Sequence, residues 1–208
     1  MPHIDLALPL VGSQVPSDHG YPLYASISRA LPGLHGATWL AVHPISGRAF
    51  GDGTITLTRG ARLRLRMPID RIGDALPLAG RRLDVEGSAL QVGAPTVQVL
   101  EPATSVVARL VVIKLTHFAG PSDPDRDAVA GAFSAELQRQ LAKLGIAGAA
   151  ELRARRSIRV AGRRVVGFAV RVSGMTPEQS LRLLEHGVGG KRRMGCGVFQ
   201  ATRGGTDG

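Results

Sequence analysis

The order of helical and strand-like hydrophobic periodicities in the second half of the chain most constrains its fold. They predict a strand over Ser105–Thr116, a helix over about Arg126–Leu144, a hairpin of Ser157–Val160 and Val165–Val172, a helix from Pro177, and a last strand over Cys196–Ala201. Gly145 is placed to end the first helix, and Thr176 to cap the second. The order strand, helix, strand, strand, helix, strand is that of the ferredoxin-like fold.

The first half of the chain predicts a decorated version of the same order. Its elements are a strand over His3–Val11, a helix capped by Ser17 or Asp18 and ended by Pro32-Gly33, a strand over Trp39–Val42, a hairpin of Thr54–Thr58 and Arg62–Arg66, a short helix over Ile69–Leu76, and strands over Arg82–Glu86, Ala89–Val92 and Thr96–Leu100. We therefore expect an α+β protein of two tandem ferredoxin-like (RRM-like, βαββαβ) domains, residues 1–103 and 104–208.

Strict alternation marks the strand Arg62–Arg66. Leu63 and Leu65 are expected to face the core, so that Arg62, Arg64 and Arg66 share the opposite face. This face is either simply solvated or part of a basic surface.

A second feature is the glycine-rich stretch Gly187–Phe199, in which two Gly-x-Gly pairs bracket the five residues Gly190–Met194. The pairs are Gly187 with Gly189 and Gly195 with Gly197, and the bracketed cations are Lys191, Arg192 and Arg193. Glycine permits left-handed backbone and close approach of another chain segment. Cations between such turns can offer charge and amide donors to phosphates. The stretch therefore predicts a loop that binds a polyanion.

Two other interpretations of this stretch were considered. It could be an ordinary helix C-terminus and turn with solvated cations, although one glycine would suffice for that. A mononucleotide P-loop is excluded, because Glu185 stands where the first glycine belongs and Arg192 where Ser or Thr belongs.

Charge supports an anionic partner. The 208 residues carry a formal net charge of +10, and residues 151–208 hold 12 Lys and Arg against 4 Asp and Glu. Aromatic residues make up only 4% of the chain, which disfavours base-stacking on a sheet surface. The basic character therefore belongs to the C-terminal quarter.

Composition also restricts the kind of site and the compartment. Cys196 is the only cysteine, and the six histidines are scattered, so neither a disulfide framework nor a metal site is expected. The chain has no long apolar run and no signal-peptide layout at its start. We expect a cytoplasmic protein that crosses no membrane and carries no cofactor, and the charge by itself leaves nucleic acid and a membrane surface open as partners.

Several motifs together resemble one family. The glycine-rich stretch, with its C-terminal part Met194–Phe199, resembles the signature of the CRISPR-associated RAMP-superfamily endoribonucleases, the sixth Cas family. Three further motifs resemble its myxobacterial-type subfamily: Asp18-His19-Gly20-Tyr21, Leu34-His35-Gly36 and Arg163-Arg164-Val165-Val166-Gly167-Phe168.

The resemblance implies metal-independent cleavage of precursor CRISPR RNA within each repeat. A 2′-hydroxyl would attack the adjacent phosphorus and the 5′-oxygen would leave, giving a 2′,3′-cyclic phosphate and a 5′-hydroxyl. Such a reaction needs groups that accept and donate protons, for which histidine is suited because its ordinary pKa is about 6.5. It also needs cations around the phosphate.

The resemblance implies His35, in the loop after the first helix, as the first candidate for proton transfer. His19 is the second, because a helix N-terminus favours the neutral imidazole. His43 is a weaker candidate that fits a structural role better, and Tyr24 could orient the substrate or be part of the core. Relatives often use a lysine near the histidine, but the first lysine here is Lys114, so the third catalytic role stays open.

The candidates for RNA binding are glycines and cations of the C-terminal half. They are Gly187, Gly189, Gly190, Lys191, Arg192, Arg193, Gly195, Gly197, Arg163, Arg164, Arg155 and Arg156. The expected partner is CRISPR repeat RNA, and a CRISPR effector complex is the second partner that the resemblance suggests. Two alternatives remain at this point: a non-catalytic RAMP subunit of such a complex, and a general basic RNA-binding protein.

Overall fold

The structure, a computed structural model, describes residues 1–115 and 126–202, and only the backbone of Arg126. It divides into two compact units. The first consists of Met1–Leu100 together with the short segments Ile158–Arg164 and Arg193–Gly195, and the second holds the other described residues. The predicted loop Gly120–Asp125, and with it Thr116 and His117, lies outside the described residues.

The first unit is built on strand β1, which is central to its main sheet. Its elements are β1 His3–Val11, β2 Gln14–Pro16, α1 Gly20–Ala30, β3 Ala41–Val42, β4 Arg48–Ala49, β5 Thr54–Thr56, β6 Arg62–Pro68, α2 Ile72–Ala75, β7 Arg82–Val85, β8 Ser88–Val92 and β9 Thr96–Val99. The main sheet has the order β3-β6-β1-β8-β7, with β9 also paired to β1, and every pairing is antiparallel. Strands β2, β5 and β4 form a separate small sheet.

The core of the first unit follows from the predicted alternation. Leu6 and Leu8 of β1 and Leu63 and Leu65 of β6 are fully buried, which confirms the expected inward face of β6. Helix α1 adds Leu23, Ile27 and neighbouring side chains to the same core. The strand predicted at residues 39–42 is reduced to Ala41–Val42.

Two local predictions for this unit are wrong. Strands β5 and β6 do not form a hairpin: β5 pairs with β2 and β4, whereas β6 pairs with β1 and β3. The N-cap of α1 is His19, with no capping side chain, rather than Ser17 or Asp18. Asp18 instead accepts a hydrogen bond from the backbone N–H of Arg159, at 2.7 Å. Tertiary pairing has overridden the local signals in both places.

The face of β6 that carries the arginines also differs from the prediction, because not all of its arginines are exposed. Arg62 is exposed, but Arg66 is only 2% exposed and binds Asp5 of β1 through Nε at 2.7 Å and Nη2 at 2.9 Å. His43 Nε2 lies 3.3 Å from the same carboxylate. The three side chains form a buried ion cluster across β1, β6 and the end of β3.

The cluster controls the charge state of its members. Burial alone would raise the pKa of Asp5, but hydrogen bonds from His43 and Arg66 together hold it well below its usual range. Burial lowers the pKa of His43 to about 4, although the Asp5 carboxylate partly offsets this effect. The folded cluster therefore contains a carboxylate, a guanidinium and a neutral imidazole at neutral pH.

The C-terminal half of the chain, from residue 105 on, shows the predicted order of elements. They are β10 Ser105–Val111, α3 Arg126–Lys143, β11 Ala149–Val160, β12 Arg163–Ser173, α4 Pro177–His186 and β13 Gln200–Ala201. The sheet order is β11-β12-β10-β13. Strand β13 is shorter than predicted, but Gly197 already donates its N–H to Leu110 O at 2.8 Å, so the chain joins β10 before the strand begins.

The turns and caps of this part match their sequence signals. Ala161 and Gly162, with φ of 48° and 78°, form the two-residue turn between β11 and β12, as hairpin twist favours. Thr176 caps α4 and forms a capping box with Gln179, which confirms the prediction. In the described part of the chain, no helix combines the length and apolar character needed to cross a bilayer.

Replacing Asp5 with alanine should destabilise the protein by about 3–5 kcal/mol, because Arg66 would remain buried without its carboxylate. Urea unfolding followed by circular dichroism measures this loss. The matched control is Asp70→Ala at an exposed aspartate, expected to change the unfolding free energy by less than about 0.5 kcal/mol. Equal effects of the two substitutions would show that the cluster does not stabilise the fold.

The unfolding free energy should fall as pH decreases from about 6.5 to about 4. In this window the unfolded chain protonates His43 while the folded protein keeps it neutral, so acid favours unfolding. His43→Gln should flatten the dependence, measured as urea unfolding at a series of pH values. His186→Gln, at a half-exposed imidazole, should leave it unchanged. A slope for His43→Gln equal to that of the wild type would refute the assignment.

Candidate functional site

The glycine-rich stretch crosses itself at a distance that no side chain permits. Gly187 and Gly197 both have left-handed backbone, with φ of 62° and 64°. A Cβ on Gly187 would lie 2.1 Å from the carbonyl oxygen of Gly197, and a Cβ on Gly197 would lie 2.0 Å from that of Val188. The two ends of the stretch therefore touch backbone to backbone, which requires glycine at both positions.

Hydrogen bonds tie the same stretch to the second unit. Gly190 N–H donates to Val112 O at 2.9 Å, just after β10. Gly189 N–H donates to the side-chain oxygen of Gln140 on α3, at 2.8 Å. The path of the loop is thus determined on both sides of its cations.

The three consecutive cations have three different environments. Lys191 is exposed and has left-handed backbone, with φ of 63°. Arg192 is half-buried and donates from Nη2 to Glu185 O at 2.6 Å. Arg193, which belongs to the first unit, is half-buried with its Cζ 5.3 Å from the centre of the Tyr24 ring. They therefore do not form one uniform basic patch.

Tyr24 also contacts the loop that carries His35. The two rings are stacked, with centroids 6.2 Å apart and planes inclined by 15°. The Tyr24 hydroxyl accepts the N–H of Gly36 at 2.8 Å, and the tyrosine itself is 6% exposed. His35, after a 3₁₀ turn over Pro32–Leu34, is exposed. The first unit thus places an exposed imidazole and a guanidinium against one buried phenol.

His19 is held inside the first unit by hydrogen bonds to Pro16 and Ile45. It is fully buried, its Nδ1 lies 2.8 Å from Pro16 O, and its Nε2 accepts the N–H of Ile45 at 2.9 Å. Nδ1 must therefore carry the proton and donate to the Pro16 carbonyl, so both ring nitrogens are occupied. His43 belongs to the buried ion cluster. Both imidazoles are buried in the structure.

The other predicted cations lie on the hairpin of β11 and β12. Arg155, Arg156, Arg163 and Arg164 are all exposed. A cavity of about 520 Å³ in the second unit is lined by nine residues of the sheet, among them Arg109, Arg153 and Arg156. Arg109 was not predicted, although a lone arginine inside the apolar strand β10 could have indicated it.

Among residues 1–115 and 126–202, no group of three or more histidine, cysteine or acidic side chains is arranged to hold an ion. Cys196 is buried beside the glycine turns.

Comparison with known proteins identifies the family. The sequence model described as Cas6 Crispr matches residues 4–204. The chain is also 39% identical to the CRISPR-associated endonuclease Cas6 of Myxococcus xanthus (strain DK1622) over 199 residues, which cover 96% of this chain and 81% of the relative. The chain belongs to the Cas6 family.

Solved Cas6 structures share the fold. The structure is similar to that of a Cas6-related protein of Pyrococcus furiosus, with a TM-score of 0.68 and 14% identity over 98% of this chain and 100% of that one. It is also similar to Thermus thermophilus Cse3 bound to an RNA representing a pre-cleavage complex, with a TM-score of 0.54 and 18% identity over 98% and 100% of the two chains. At these identities the similarity establishes the mixed α/β fold of the Cas6 family.

Replacing Gly197 with alanine should lower the unfolding free energy by at least about 2 kcal/mol, because the new methyl group meets the Val188 carbonyl in a left-handed conformation. Gly190→Ala is the matched control: its Cβ would meet open space, and we expect a change below about 0.5 kcal/mol. Thermal and urea unfolding distinguish the two. Similar stabilities would mean that the backbone crossing is not needed.

Proposed function

We propose that the protein is a metal-independent endoribonuclease that cleaves precursor CRISPR RNA within its repeats. The observation that carries the proposal is the exposed His35 imidazole held against Tyr24, in a chain of the Cas6 family. The M. xanthus relative is named as a CRISPR-associated endonuclease, which supports the same activity here.

We also propose that both units are ferredoxin-like domains, divided near residue 103. In the second unit, the sheet order β11-β12-β10-β13 arises from elements in the order βαββαβ. In the first, β3-β6-β1-β9 gives the same arrangement, with β7 and β8 as additions. This symmetry supports two copies of one fold.

The proposed reaction places its nucleophile in the substrate. The 2′-oxygen forms a bond to phosphorus, the bond from phosphorus to the 5′-oxygen breaks, and the products are a 2′,3′-cyclic phosphate and a 5′-hydroxyl. One proton leaves the 2′-hydroxyl and one is delivered to the 5′-oxygen. Because no water needs activation, the chemistry does not require a metal ion.

His35 is the residue proposed to carry one of these protons. Its ring is exposed, whereas His19 and His43 are enclosed by protein. Tyr24 is proposed as a positioning residue, because its hydroxyl holds Gly36, the neighbour of His35, and its ring supports the imidazole. A fixed imidazole reduces the entropy lost when the reacting groups align.

RNA binding is proposed for exposed cations on the second unit's loop and on the hairpin. Lys191 and the arginines Arg155, Arg156, Arg163 and Arg164 are exposed and can neutralise phosphates. Gly187, Gly189, Gly195 and Gly197 contribute by shaping the loop, and Gly190 lies open beside Lys191. Arg192 is less available, because Glu185 O already accepts from it.

His35→Ala should reduce the single-turnover cleavage rate by about 10²–10⁴-fold in excess EDTA, since it removes one proton-transfer group. The assay uses repeat RNA of the organism's own CRISPR array and identifies the product ends. His186→Ala, at a half-exposed histidine of α4, is the control and should cleave like the wild type. RNA binding without cleavage by the wild type would favour a non-catalytic RAMP subunit.

A modified substrate shows which of the two protons His35 transfers. If the leaving 5′-oxygen is replaced with sulfur, departure no longer needs protonation, because a thiolate is a much weaker base. A His35→Ala defect that disappears on this substrate identifies His35 as the general acid, and one that persists identifies it as the base. An undiminished rate on the native substrate would remove His35 from the mechanism.

A further inference from the structure

The proposed reaction needs a positive charge at the phosphate, and the nearest cation before His35 in the sequence, Arg29 on α1, donates from Nη2 to Asp84 O at 3.3 Å. The first lysine is Lys114, and the nearest cation after His35 is Arg48 on β4, thirteen positions along the chain. In the first unit the side chain nearest to this role comes from residue 193, far away in sequence.

Arg193 is distinctive because its donors are unused. Within the described part of the chain the Arg193 side chain makes no hydrogen bond or ion pair. Its guanidinium contacts the face of the Tyr24 ring. Nη1 is shielded from solvent and has no acceptor. By contrast, Arg66 binds Asp5 and Arg192 binds Glu185 O. A half-buried guanidinium without an acceptor is costly unless a ligand provides one.

Its position relative to His35 fits such a ligand. A Cβ added to Gly36 would lie 3.8 Å from Nη1 of Arg193, so the guanidinium lies alongside the residue that follows His35. Tyr24 contacts both side chains, His35 by ring stacking and Arg193 by its cation–π contact. Since no hydrogen bond fixes its fork, the guanidinium can turn on the Tyr24 ring and present its N–H groups.

We propose that Arg193 is a catalytic residue that binds the non-bridging oxygens of the scissile phosphate. This inference rests on the proposed function. The planar guanidinium would donate two parallel hydrogen bonds and stabilise the charge that grows as the 2′-oxygen attacks. Arg193 keeps all its protons throughout, and His35 carries the proton. The loop therefore contributes to the chemistry as well as to RNA binding.

The roles of the neighbouring cations follow from the same contacts. Lys191 is exposed and belongs to the second unit, so we expect it to act in affinity for RNA. The control for charge removal is therefore Arg82, an exposed arginine on β7 of the first unit.

Two measurements separate chemistry from binding. The first is the cleavage rate at saturating protein in a single turnover, and the second is the dissociation constant for a repeat RNA with a 2′-deoxy nucleotide at the scissile position. Arg193→Ala should lower the rate about 100-fold or more while weakening binding less than about 5-fold. Arg82→Ala, at an exposed arginine that has no proposed role, should leave both the saturated rate and the binding near those of the wild type.

Arg193→Lys and chemical rescue guard against a merely structural effect. The lysine variant keeps charge and an aliphatic stem but loses the bidentate fork, so it should fold normally and remain at least about 10-fold slow. Guanidinium chloride at tens of millimolar should partly restore Arg193→Ala, but not His35→Ala. Unfolding curves identify any variant that has lost its fold. If Arg193→Ala is unfolded, the cleavage rate of Arg193→Lys tests the inference instead.

The outcomes are distinct. If the wild type cleaves in EDTA and Arg193→Ala or Arg193→Lys matches its saturated rate, the inference is overturned and the proposed function stands. Slow cleavage explained entirely by weaker binding also overturns it. If the wild type does not cleave, both proposals fail.

Discussion

The close backbone contact within the glycine-rich stretch is the constraint on which the proposed site depends. Gly187 and Gly197 touch where any side chain would collide with a carbonyl group, and their left-handed conformations would strain other residues. This crossing, together with bonds from Gly189 and Gly190 to their neighbours, defines the path of the loop between them. The path of the backbone sets the directions of the three cations. Their being consecutive in the sequence does not.

Tyr24 orients the side chains of the proposed site in the first unit, as the glycines determine the path of the loop. The chain has only two tyrosines, and this one is buried with its hydroxyl on Gly36 and its ring against His35 and Arg193. A rigid aromatic side chain can orient two mobile groups at little entropic cost. The scarcity of aromatic residues, which disfavoured a stacking platform for bases, is compatible with a single tyrosine as a support for the proposed site.

Sequence signals predicted the features that depend on neighbouring residues. They failed for features that depend on contacts between residues far apart in the chain. The cap of α4 at Thr176 and the order of elements after residue 104 depend on neighbouring residues and on periodicity, and both were predicted. The predicted hairpin between β5 and β6 does not form, because β6 pairs with β1 and β5 pairs with β2, both far away in the sequence. Alternation correctly placed Arg66 opposite Leu63 and Leu65, but could not reveal that Asp5 lies across from it.

Much about the class of protein could be read from the sequence: periodicity gives the mixed α/β order, and the glycine pairs with their cations resemble the signature of the Cas6 family. The sequence also offered six histidines without a way to rank them by accessibility. The three-dimensional contacts show that His19 and His43 are enclosed by hydrogen-bonding partners, whereas His35 stays exposed. They also show that Arg193 rests on Tyr24. The physical reason is that burial and unpaired donors depend on contacts between residues far apart in the chain, which no local pattern encodes.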